Sequence, residues 1–552
     1  MLKKSFKWFF IIFSIVSISV TVFSVFFLEN ILVDKLTKKL NKTFDSYYKI
    51  DYQSIEAFID WNGLSIYVHK PSFKSDTTQH KLNLKFPTLF FNSDKLEIKN
   101  LSIRKLLFTD DLQLQSIKLK KPRLKLVIFD SLNIIQTQKK NKDIRNIANF
   151  LFIDKINIEN GNLVCSHYND LLDTTFFGFN VNINVEKISV KISELKTFAY
   201  SLTKKNNFTF SVAKAFYEPY KSNYLFYMDS LLLNNKTISA KNISEIPLKS
   251  KITISKSFHF AKTIAETNIG SFLLQGYNLK ELIFQKSIVI HSIKLNKVNL
   301  DMFKNRKKAL NKQKEKLLIQ EMLTSLPFSL KLDSLKITNS NLHFEMIDNK
   351  GKSPLGFTLN QLNLFLTNIN TTKNSQDTMI LKGNGKFMNA AKFKITVIFP
   401  SIHKAENYYS GYIGSIPFKK FSYMLSSYSK FKIIDGIIHS IIFSGKCNKY
   451  ENYGSLVFQY NDLEVEAKKN SRKEIKKKAP LLSFFGNLIL HNNNPRKDNE
   501  TPTKVSYYLK RKKYQGSVIL LFGGILEGIK NTLLNRNIQE KMKKLNEKNH
   551  YD

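Results

Sequence analysis

The sequence contains few of the residues that build metal sites, disulfides and tight turns. Its 552 residues include only 2 cysteines, 12 prolines and 19 glycines. Cys165 and Cys447 lie far apart, whereas a structural metal site needs a denser set of ligands. Two alternatives remain for this pair, a disulfide in an oxidising compartment or two small residues of a hydrophobic core, and we favour the second.

Common catalytic and nucleotide-binding motifs are also missing. The 10 histidines are scattered and none forms HExxH, so zinc hydrolysis has no support. The sequence contains neither GxSxG nor the phosphate-binding loops GxxxxGK[ST] and GxGxxG. Asp94, Asp154, Asp229 and Asp333 recur at equivalent places, which indicates turn capping rather than catalysis. We therefore predict a protein that is not an enzyme and uses neither a cofactor nor a metal.

Acidic residues are scarce, since 86 lysines and arginines stand against 44 aspartates and glutamates, a net charge of +42. Such an excess is compatible with nucleic acid or with an anionic membrane surface. The lysines alternate with apolar residues throughout, however, which favours a solvated face of regular structure. The densest basic run is Lys468–Pro480, where contact with anionic lipid head groups is an alternative to an exposed loop.

The segment Trp8–Leu28, "WFFIIFSIVSISVTVFSVFFL", has no charged residue and is long enough to cross a bilayer as a helix. Three lysines precede it and place the N-terminus in the cytoplasm, and no convincing cleavage site follows. We predict an uncleaved single-pass inner-membrane anchor with the bulk of the chain in the periplasm, a location that argues against nucleic acid. Its terminal anchoring residues are Trp8, Phe9, Phe10, Phe26, Phe27 and Leu28.

A degenerate strand pattern repeats along the rest of the chain. Its copies are "KLEIKNLSIRK" (Lys95–Lys105), "SIKLKKPRLKL" (Ser116–Leu126), "KINIENGNLVC" (Lys155–Cys165), "SLLLNNKTISA" (Ser230–Ala240), "SIKLNKVNLDM" (Ser292–Met302) and "SLKITNSNLHF" (Ser334–Phe344). Leu or Ile occupies the second, fourth and ninth positions. The side chains at the second and fourth positions lie on one face of a strand. The sixth position, which is often asparagine, tolerates a turn, a bulge or positive φ. The ninth position is predicted to start a new apolar face.

This pattern predicts a mainly β fold, an elongated and curled antiparallel sheet that forms a groove, with a few amphipathic helices. The order of elements beginning near Phe150 recurs near Phe328, which indicates an internal duplication. The predicted organisation is a cytoplasmic start and anchor (1–28), an amphipathic stalk helix (29–46), an N-terminal groove (47–304), a linker helix (305–327), a C-terminal groove (328–515) and a C-terminal helix with a polar tail (516–552). Ser517–Ile529 is too short to span a bilayer and is predicted to pack on an apolar face or lie in an interface.

The anchor, the "DSLKITNSNL"-like strands and the C-terminal region together carry a family resemblance. "SGYIGSIPFKKFSYMLSSYSKFKIIDGIIHSIIFSGKC", followed by "GSLVFQYNDLEVEA", resembles the closing pattern of AsmA-like proteins of Gram-negative envelopes. These belong to a repeating β-groove family that includes TamB and the bridge-like lipid transfer proteins. The resemblance implies a periplasmic groove that carries phospholipid toward the outer membrane and maintains envelope lipid composition. A scaffold that assists outer-membrane protein insertion is the alternative.

A sheet with one apolar face must bury that face against a second layer, against itself or against a ligand. We predict phospholipid as the ligand, with the inner membrane and, in the alternative, outer-membrane or periplasmic proteins as further partners. The predicted groove-lining residues are Ile117, Leu119, Leu124, Leu126, Ile156, Ile158, Leu231, Leu233, Ile293, Leu295, Leu335 and Ile337. A sealed interior filled by side chains would argue against such a groove.

Overall fold

The structure is a computed structural model that describes residues 48–60, 62–75, 88–109, 111–129, 150–169, 172–191, 208–219, 222–278, 281, 287–347, 354–373, 375–420, 431–467, 491–497 and 499–533. The predicted mainly β fold is confirmed over these residues. The predicted anchor, the stalk helix and the basic run at 468–480 lie outside them. Of the helices within the described ranges, none combines the length and hydropathy needed to cross a membrane.

The chain divides into two compact units, Met1–Ile246 with Asn278–Gln285 and Pro247–Tyr277 with Lys286–Asp552. The elements of the first unit are β1 (Tyr48–Asp51), β2 (Ser54–Asp60), β3 (Gly63–His69), β4 (Ser72–Ser75), β5 (Thr88–Asn92), β6 (Lys95–Leu101), α1 (Ile103–Phe108), β7 (Leu112–Lys120), β8 (Arg123–Phe129), β9 (Phe150–Asn169), β10 (Leu172–Lys191), β11 (Phe208–Tyr217), β12 (Tyr224–Asn234) and β13 (Thr237–Pro247).

The elements of the second unit are α2 (Lys251–Ser257), β14 (Thr263–Tyr277), β15 (Ser287–Asn305), α3 (Ile319–Thr324), β16 (Ser329–Ile347), β17 (Pro354–Asn370), β18 (Met379–Phe387), β19 (Ala391–Phe399), β20 (Asn407–Ile413), β21 (Ile416–Pro417), β22 (Phe431–Cys447), β23 (Glu451–Ala467), β24 (Lys504–Lys510) and α4 (Ser517–Leu533). The sequence places the boundary between halves at 305–327. Strands β14 and β15 nevertheless belong to the second unit, because β15 pairs with β16 along its whole length.

In the first unit, two short strands that follow one another in the chain lie end to end and together match one long strand of the sheet. Strands β3 and β4 pair with β6 and β5, which pair with β7 and β8. Both β7 and β8 then lie along one side of the long strand β9, in parallel, while β10, β11 and β12 follow as antiparallel neighbours.

The second unit repeats this arrangement. Its β15 and β16 are parallel, and β16 then begins an antiparallel series that runs through β17, β18, β19, β20, β22, β23 and β24. The expectation of an antiparallel sheet is therefore wrong: the one large sheet is mixed, with parallel pairs in both units. Parallel neighbours need a long crossover connection, and the segments after β8 and after β15 provide the room for one.

The predicted duplication is visible in this topology. Hairpin β9–β10 corresponds to hairpin β16–β17, and each is preceded by a parallel partner, β7 and β8 in one case and β15 in the other. The repeated unit is thus larger than the hairpin that the sequence indicates, because it includes the strand before the crossover.

The sixth position of the repeat has positive φ in most copies, as its composition predicts. Asn100, Lys121, Asn160, Lys297 and Asn339 have φ between 46° and 56°. Asparagine tolerates this left-handed conformation better than most residues. At Asn160 the backbone N–H donates to Oδ1 of Asn182 at 2.7 Å, and at Asn339 it donates to Oδ1 of Asn363 at 3.1 Å. An asparagine on the next strand therefore satisfies the N–H that the irregularity frees.

These left-handed residues correct the prediction for the ninth position. Ile158 is opposite Ile183 and Leu163 is opposite Phe179, so five residues of β9 span four residues of β10. Ile183 and Phe179 share a face because they are separated by an even number of residues. The extra residue in β9 is a bulge, and it returns the ninth position to the same face as the fourth. The repeat therefore codes for one apolar face, not two.

The predicted linker helix is much shorter than expected. Of Arg306–Leu326 only Ile319–Thr324 is helical. Upstream, the side chain of Asn311 accepts hydrogen bonds from the backbone N–H groups of Gln313 and Lys314 at 3.2 and 3.1 Å, a turn that competes with a helix. The many lysines of this stretch repel one another at helical spacing, which disfavours a helix further.

Candidate functional site

The apolar face of the first unit is sealed over most of its strands. One row of side chains runs across the sheet from Ile66 through Ile98, Ile117 and Ile156 to Val185, one residue per strand. All five are buried, and Ile117 is only 1% exposed. Removing this much apolar surface from water stabilises the unit by about 2 kcal/mol per side chain. This part of the face is a side-chain-filled core.

A second buried row crosses the same face, from Val68 through Leu96, Leu119 and Ile158 to Ile183. Beyond the bulges, Leu124, Leu126, Leu163 and Cys165 form a further buried cluster. Burial decreases only toward β12, where Leu231 and Leu233 are half-buried. The first unit thus leaves little of its apolar face accessible.

The corresponding face of the second unit is open over β15–β18. One row contains Ile293, Leu335, Leu366 and Leu381, and all four are half-buried. A parallel row contains Leu295, Ile337 and Leu364, which are also half-buried. The four strands from β15 to β18 span about 14 Å at about 4.8 Å per strand. This half-buried strip, the open apolar strip, is our candidate functional site.

Beyond β18 the same rows lead into a closed core, at Val397 in one row and, after the half-buried Ile395, at Phe443 in the other. The row of Leu381 continues through Val397, Tyr409, Gly445 and Gly454 to Tyr507, and the row of Leu364 continues to Phe443 and Leu456. The large members of this continuation are almost fully buried. Helix α4 lies on them, as the sequence predicts for an amphipathic C-terminal helix.

Glycines let α4 approach the sheet closely. A Cβ added to Gly528 would lie 2.8 Å from Cδ1 of Tyr507 and 3.2 Å from Cβ of Leu456, so no larger residue fits. Glycine weakens an isolated helix, but here it gives contact area that a side chain would block. Leu520, Ile525 and Ile529 complete the buried side of the helix.

A buried hydrogen-bond network fixes α4 to the sheet. Tyr409 donates to Oδ1 of Asn452 at 2.6 Å, and its hydroxyl lies 2.6 Å from that of Tyr507. Asn452 in turn donates to the carbonyl of Leu520 at 2.8 Å. Burial raises the pKa of Tyr507 to about 12, so the network is neutral at physiological pH. It closes one end of the open apolar strip.

The structure distributes the predicted lining residues between these two environments. Those of the second unit lie on the open apolar strip: Ile293, Leu295, Leu335 and Ile337. Those of the first unit lie on its one apolar face, where Leu231 and Leu233 are half-buried and the others are buried: Ile117, Leu119, Leu124, Leu126, Ile156 and Ile158. The predicted anchor residues Trp8, Phe9, Phe10, Phe26, Phe27 and Leu28 lie outside the described residues.

Repetition of the aspartates does not reflect turn capping, because three of the four lie within strands. Asp154, Asp229 and Asp333 are in β9, β12 and β16. Asp333 pairs with Nδ1 of His291 at 2.9 Å, and Asp94, between β5 and β6, pairs with Lys121 at 3.2 Å. Strand positions on the polar face suit such pairs.

Both cysteines are free and buried, each within its own unit. Burial raises the pKa of each thiol, Cys165 and Cys447, to about 12. A thiol with this pKa is unreactive, which is consistent with two core residues. Within the described ranges, no three side chains of His, Cys, Asp or Glu are grouped so that they could hold a metal ion.

Sequence reasoning missed several members of the open apolar strip, among them Leu364, Leu366 and Leu381. They lie on β17 and β18, which do not contain a full copy of the repeat. The signal in β17 is the alternation "LNLFL" after Gln361, whose φ is 50°. Comparison with known proteins adds no further assignment: no protein-family model, no curated protein and no solved structure matches this chain.

Proposed function

We propose that this protein is a membrane-anchored lipid-transfer protein of the cell envelope, and that the open apolar strip shields phospholipid acyl chains on their way toward the outer membrane. The observation that carries the proposal is the row of half-buried leucine and isoleucine side chains across β15–β18. Side chains of this size are normally either fully buried or dispersed singly on a surface, and a contiguous apolar strip marks a binding surface.

The chemistry of the strip fits acyl chains better than polar ligands. Ile293, Leu295, Leu335 and Ile337 offer only methyl and methylene groups, while the lysines of the same strands, such as Lys294 and Lys336, are exposed on the opposite face. Each CH₂ group that leaves water contributes about 0.8 kcal/mol, so a dozen methylenes on this strip gain about 10 kcal/mol. The bulge at Asn339 increases sheet twist, which favours a curled, gutter-like groove.

In this proposal the first unit does not bind lipid. Its rows of apolar side chains are sealed, and only Leu231 and Leu233 resemble the open apolar strip in burial. Lipid binding by residues such as Leu119, which is 1% exposed, would require the core of that unit to open. The groove function is therefore assigned to the second unit.

A scaffold for outer-membrane proteins is the weaker alternative. That role requires a strand edge free to pair with a client. Strand β24 carries Lys504 at one end and Lys510 at the other, and terminal lysines are a common device against edge pairing.

The test is the lipid content of the purified full-length chain. We expect protein isolated in mild detergent to carry phospholipid detectable by mass spectrometry. Leu335→Asp and Ile337→Asp place a carboxylate in the strip and should reduce bound lipid roughly tenfold or more. Lys336→Asp, between them on the opposite face, is the matched control and should retain it. Equal lipid content in all three variants would contradict the proposal.

A further inference from the structure

The face of the second unit opposite α4 contains a cavity. Strands β19, β20, β22, β23 and β24 form its base, and its volume is about 680 Å³. A second cavity of about 460 Å³ adjoins it and shares Thr396, Ser410, Ser444 and Ser455 with it. The two form one trough across five strands, which we call the hydroxyl trough.

The register of the strands explains the floor of the hydroxyl trough. It places one hydroxyl residue per strand in a single row, namely Thr396, Ser410, Ser444, Ser455 and Ser506. The next row on each side points the other way, into the core beneath α4. Within the described part of the chain, none of the four serine hydroxyls has a hydrogen-bond partner, so donors and acceptors remain available to a ligand.

Tyrosines line the walls. Tyr408 and Tyr453 border the larger cavity and Tyr412 the smaller one, with 43%, 41% and 40% of their surfaces exposed. Tyr408 is held in place, because its hydroxyl donates to Glu406 at 2.8 Å and Nζ of Lys446 lies 5.2 Å from its ring centroid. Exposed rings with a fixed polar tip are suited to pack on a flat ligand that has both C–H and O–H groups.

The charge of the hydroxyl trough is positive. Lys394 and Lys504 line the smaller cavity, and Lys382 lies beside Thr396 in register, at one end of the floor. None of these three lysines is paired with a carboxylate of the described residues. Lys446 differs, because Glu406 neutralises it at 2.9 Å. A ligand that fits must therefore supply negative charge near Lys394 and Lys504 in the smaller cavity and near Lys382 at one end of the floor. It does not need negative charge along the whole length of the trough.

We infer that the hydroxyl trough binds an anionic saccharide. Sugar hydroxyls match the hydroxyl floor, the C–H face of a sugar ring matches the tyrosines, and phosphate, sulfate or carboxylate groups match Lys382, Lys394 and Lys504. An acyl chain would leave the floor hydroxyls without hydrogen-bond partners, which is unfavourable for a polar group removed from water. A nucleic acid requires cations along its whole backbone track, which this trough does not provide.

This site is independent of the proposed lipid function, because the hydroxyl trough and the open apolar strip lie on opposite faces of the sheet. Loss of saccharide binding would leave the lipid content unchanged, and the Leu335→Asp variant should bind saccharide normally. The two proposals therefore fail separately.

The experiment is calorimetric titration of the full-length chain in mild detergent with a heparin hexasaccharide, and with maltohexaose as its uncharged counterpart. We expect heparin hexasaccharide to bind and maltohexaose to bind more weakly. Ser455→Leu fills the floor of both cavities and should weaken heparin binding at least tenfold, whereas Ser455→Thr keeps the hydroxyl and should preserve most of it. Because the chain carries a net charge of +42, heparin binding alone does not identify the site. The informative result is the change in heparin affinity that each variant causes.

A second variant tests the charge without altering the floor. Replacing both Lys394 and Lys504 with glutamine should weaken heparin hexasaccharide about tenfold and leave maltohexaose unchanged. Lys336→Gln removes a charge from the same face outside the trough and should have little effect.

Mixed micelles that carry sulfatide or phosphatidylserine distinguish a glycolipid head group from a free saccharide. Binding to sulfatide that responds to Ser455→Leu indicates a head group, and a response with the hexasaccharide alone indicates a free chain. Both results support the site. Heparin binding that is as strong in Ser455→Leu and in the double lysine variant as in the unchanged protein would overturn it. Tighter, variant-sensitive binding of an oligothymidylate or a polyglutamate peptide would overturn it in favour of nucleic acid or an acidic peptide.

Discussion

The two units use the same strand repeat and bury its apolar face to different extents. Ile158 in the first unit and Ile337 in the second occupy equivalent positions of the repeat, each two residues before a left-handed residue. Ile158 is 7% exposed and belongs to a closed core, whereas Ile337 is half-buried. The strand pattern thus determines which face is apolar, and contacts with other parts of each unit decide whether that face is a core or a binding surface.

The polar faces differ in a related way. In the first unit Lys118 pairs with Glu159 at 2.6 Å and Lys120 with Glu97 at 3.1 Å. In the second unit, no described carboxylate pairs with Lys382, Lys394 or Lys504. Lys118 and Lys120 of the first unit are therefore neutralised within the sheet, whereas Lys382, Lys394 and Lys504 of the second unit keep positive charge available for a ligand.

The largest expected difference concerns core truncation. Leu119→Ala should destabilise the first unit by about 2–5 kcal/mol, because it leaves a cavity among fully buried neighbours. Ile337→Ala should cost the second unit about 1 kcal/mol, because the side chain is already half in water. Urea unfolding of the two full-length variants measures both effects. Equal losses would remove the distinction between sealed and open faces.

The closed end of the second unit can be tested by crowding the contact between α4 and the sheet. Gly528→Ala places a methyl group against Tyr507 and Leu456 and should destabilise the docked helix by about 1–3 kcal/mol. Gly516→Ala is the matched control, because a Cβ there meets no atom within 4 Å. Hydrogen exchange of residues 517–533 should accelerate only in the first variant. Unchanged exchange would mean that the helix does not depend on this approach.

We expect positive φ at the sixth position of the repeat to affect stability in the same way in both units. Lys297 has φ of 56°, so Lys297→Gly relieves strain and should be neutral or stabilise the unit by up to about 1 kcal/mol. Lys297→Val should destabilise it by about 1–2 kcal/mol, since a β-branched residue disfavours this conformation more strongly. Thermal unfolding of both variants shows which of the two is more stable. Greater stability of the valine variant would exclude a left-handed backbone conformation at Lys297.

The smallest expected effect is the acid sensitivity of the first unit. Burial raises the pKa of Glu97, but the hydrogen bond and charge of Lys120, with Lys95 nearby, outweigh this and hold the pKa below its ordinary value of 4.5. The stabilisation is therefore complete above the pKa of the unfolded glutamate and is lost as the pH falls through the lower folded value. Glu97→Gln should flatten the decrease of Tm in that acidic range. An unaltered pH profile would show that Glu97 contributes nothing.

Much of this architecture is readable in the sequence because strand alternation is a local property. The side chains of Ile117 and Leu119 alternate with lysines, which predicts their face, and asparagine at the sixth position predicts the left-handed residues. The side on which Leu124 lies was not predictable from alternation, because the bulge at Lys121 reverses the parity.

Other features depend on contacts between distant segments, which no local pattern encodes. The parallel pairing of β15 with β16 is set by the path of the crossover, and the alternation in each strand is the same for parallel and antiparallel neighbours. Ile158 is buried and Ile337 is half-buried although they occupy the same position of the repeat. The difference therefore comes from contacts with other parts of each unit. The hydroxyl trough requires five serine and threonine residues to align in register, although they are far apart in the chain.

The most direct test of the central claim is site-specific photocrosslinking in envelope membranes. A benzoylphenylalanine at Ile337, at its equivalent Ile158, or at Lys336 on the opposite face reports which of these positions contacts lipid. We expect lipid adducts at Ile337 and none at Ile158 or Lys336, with circular dichroism confirming that each variant is folded. Absence of lipid adducts at Ile337, or equal adducts at all three positions, would contradict the assignment of lipid to the open apolar strip.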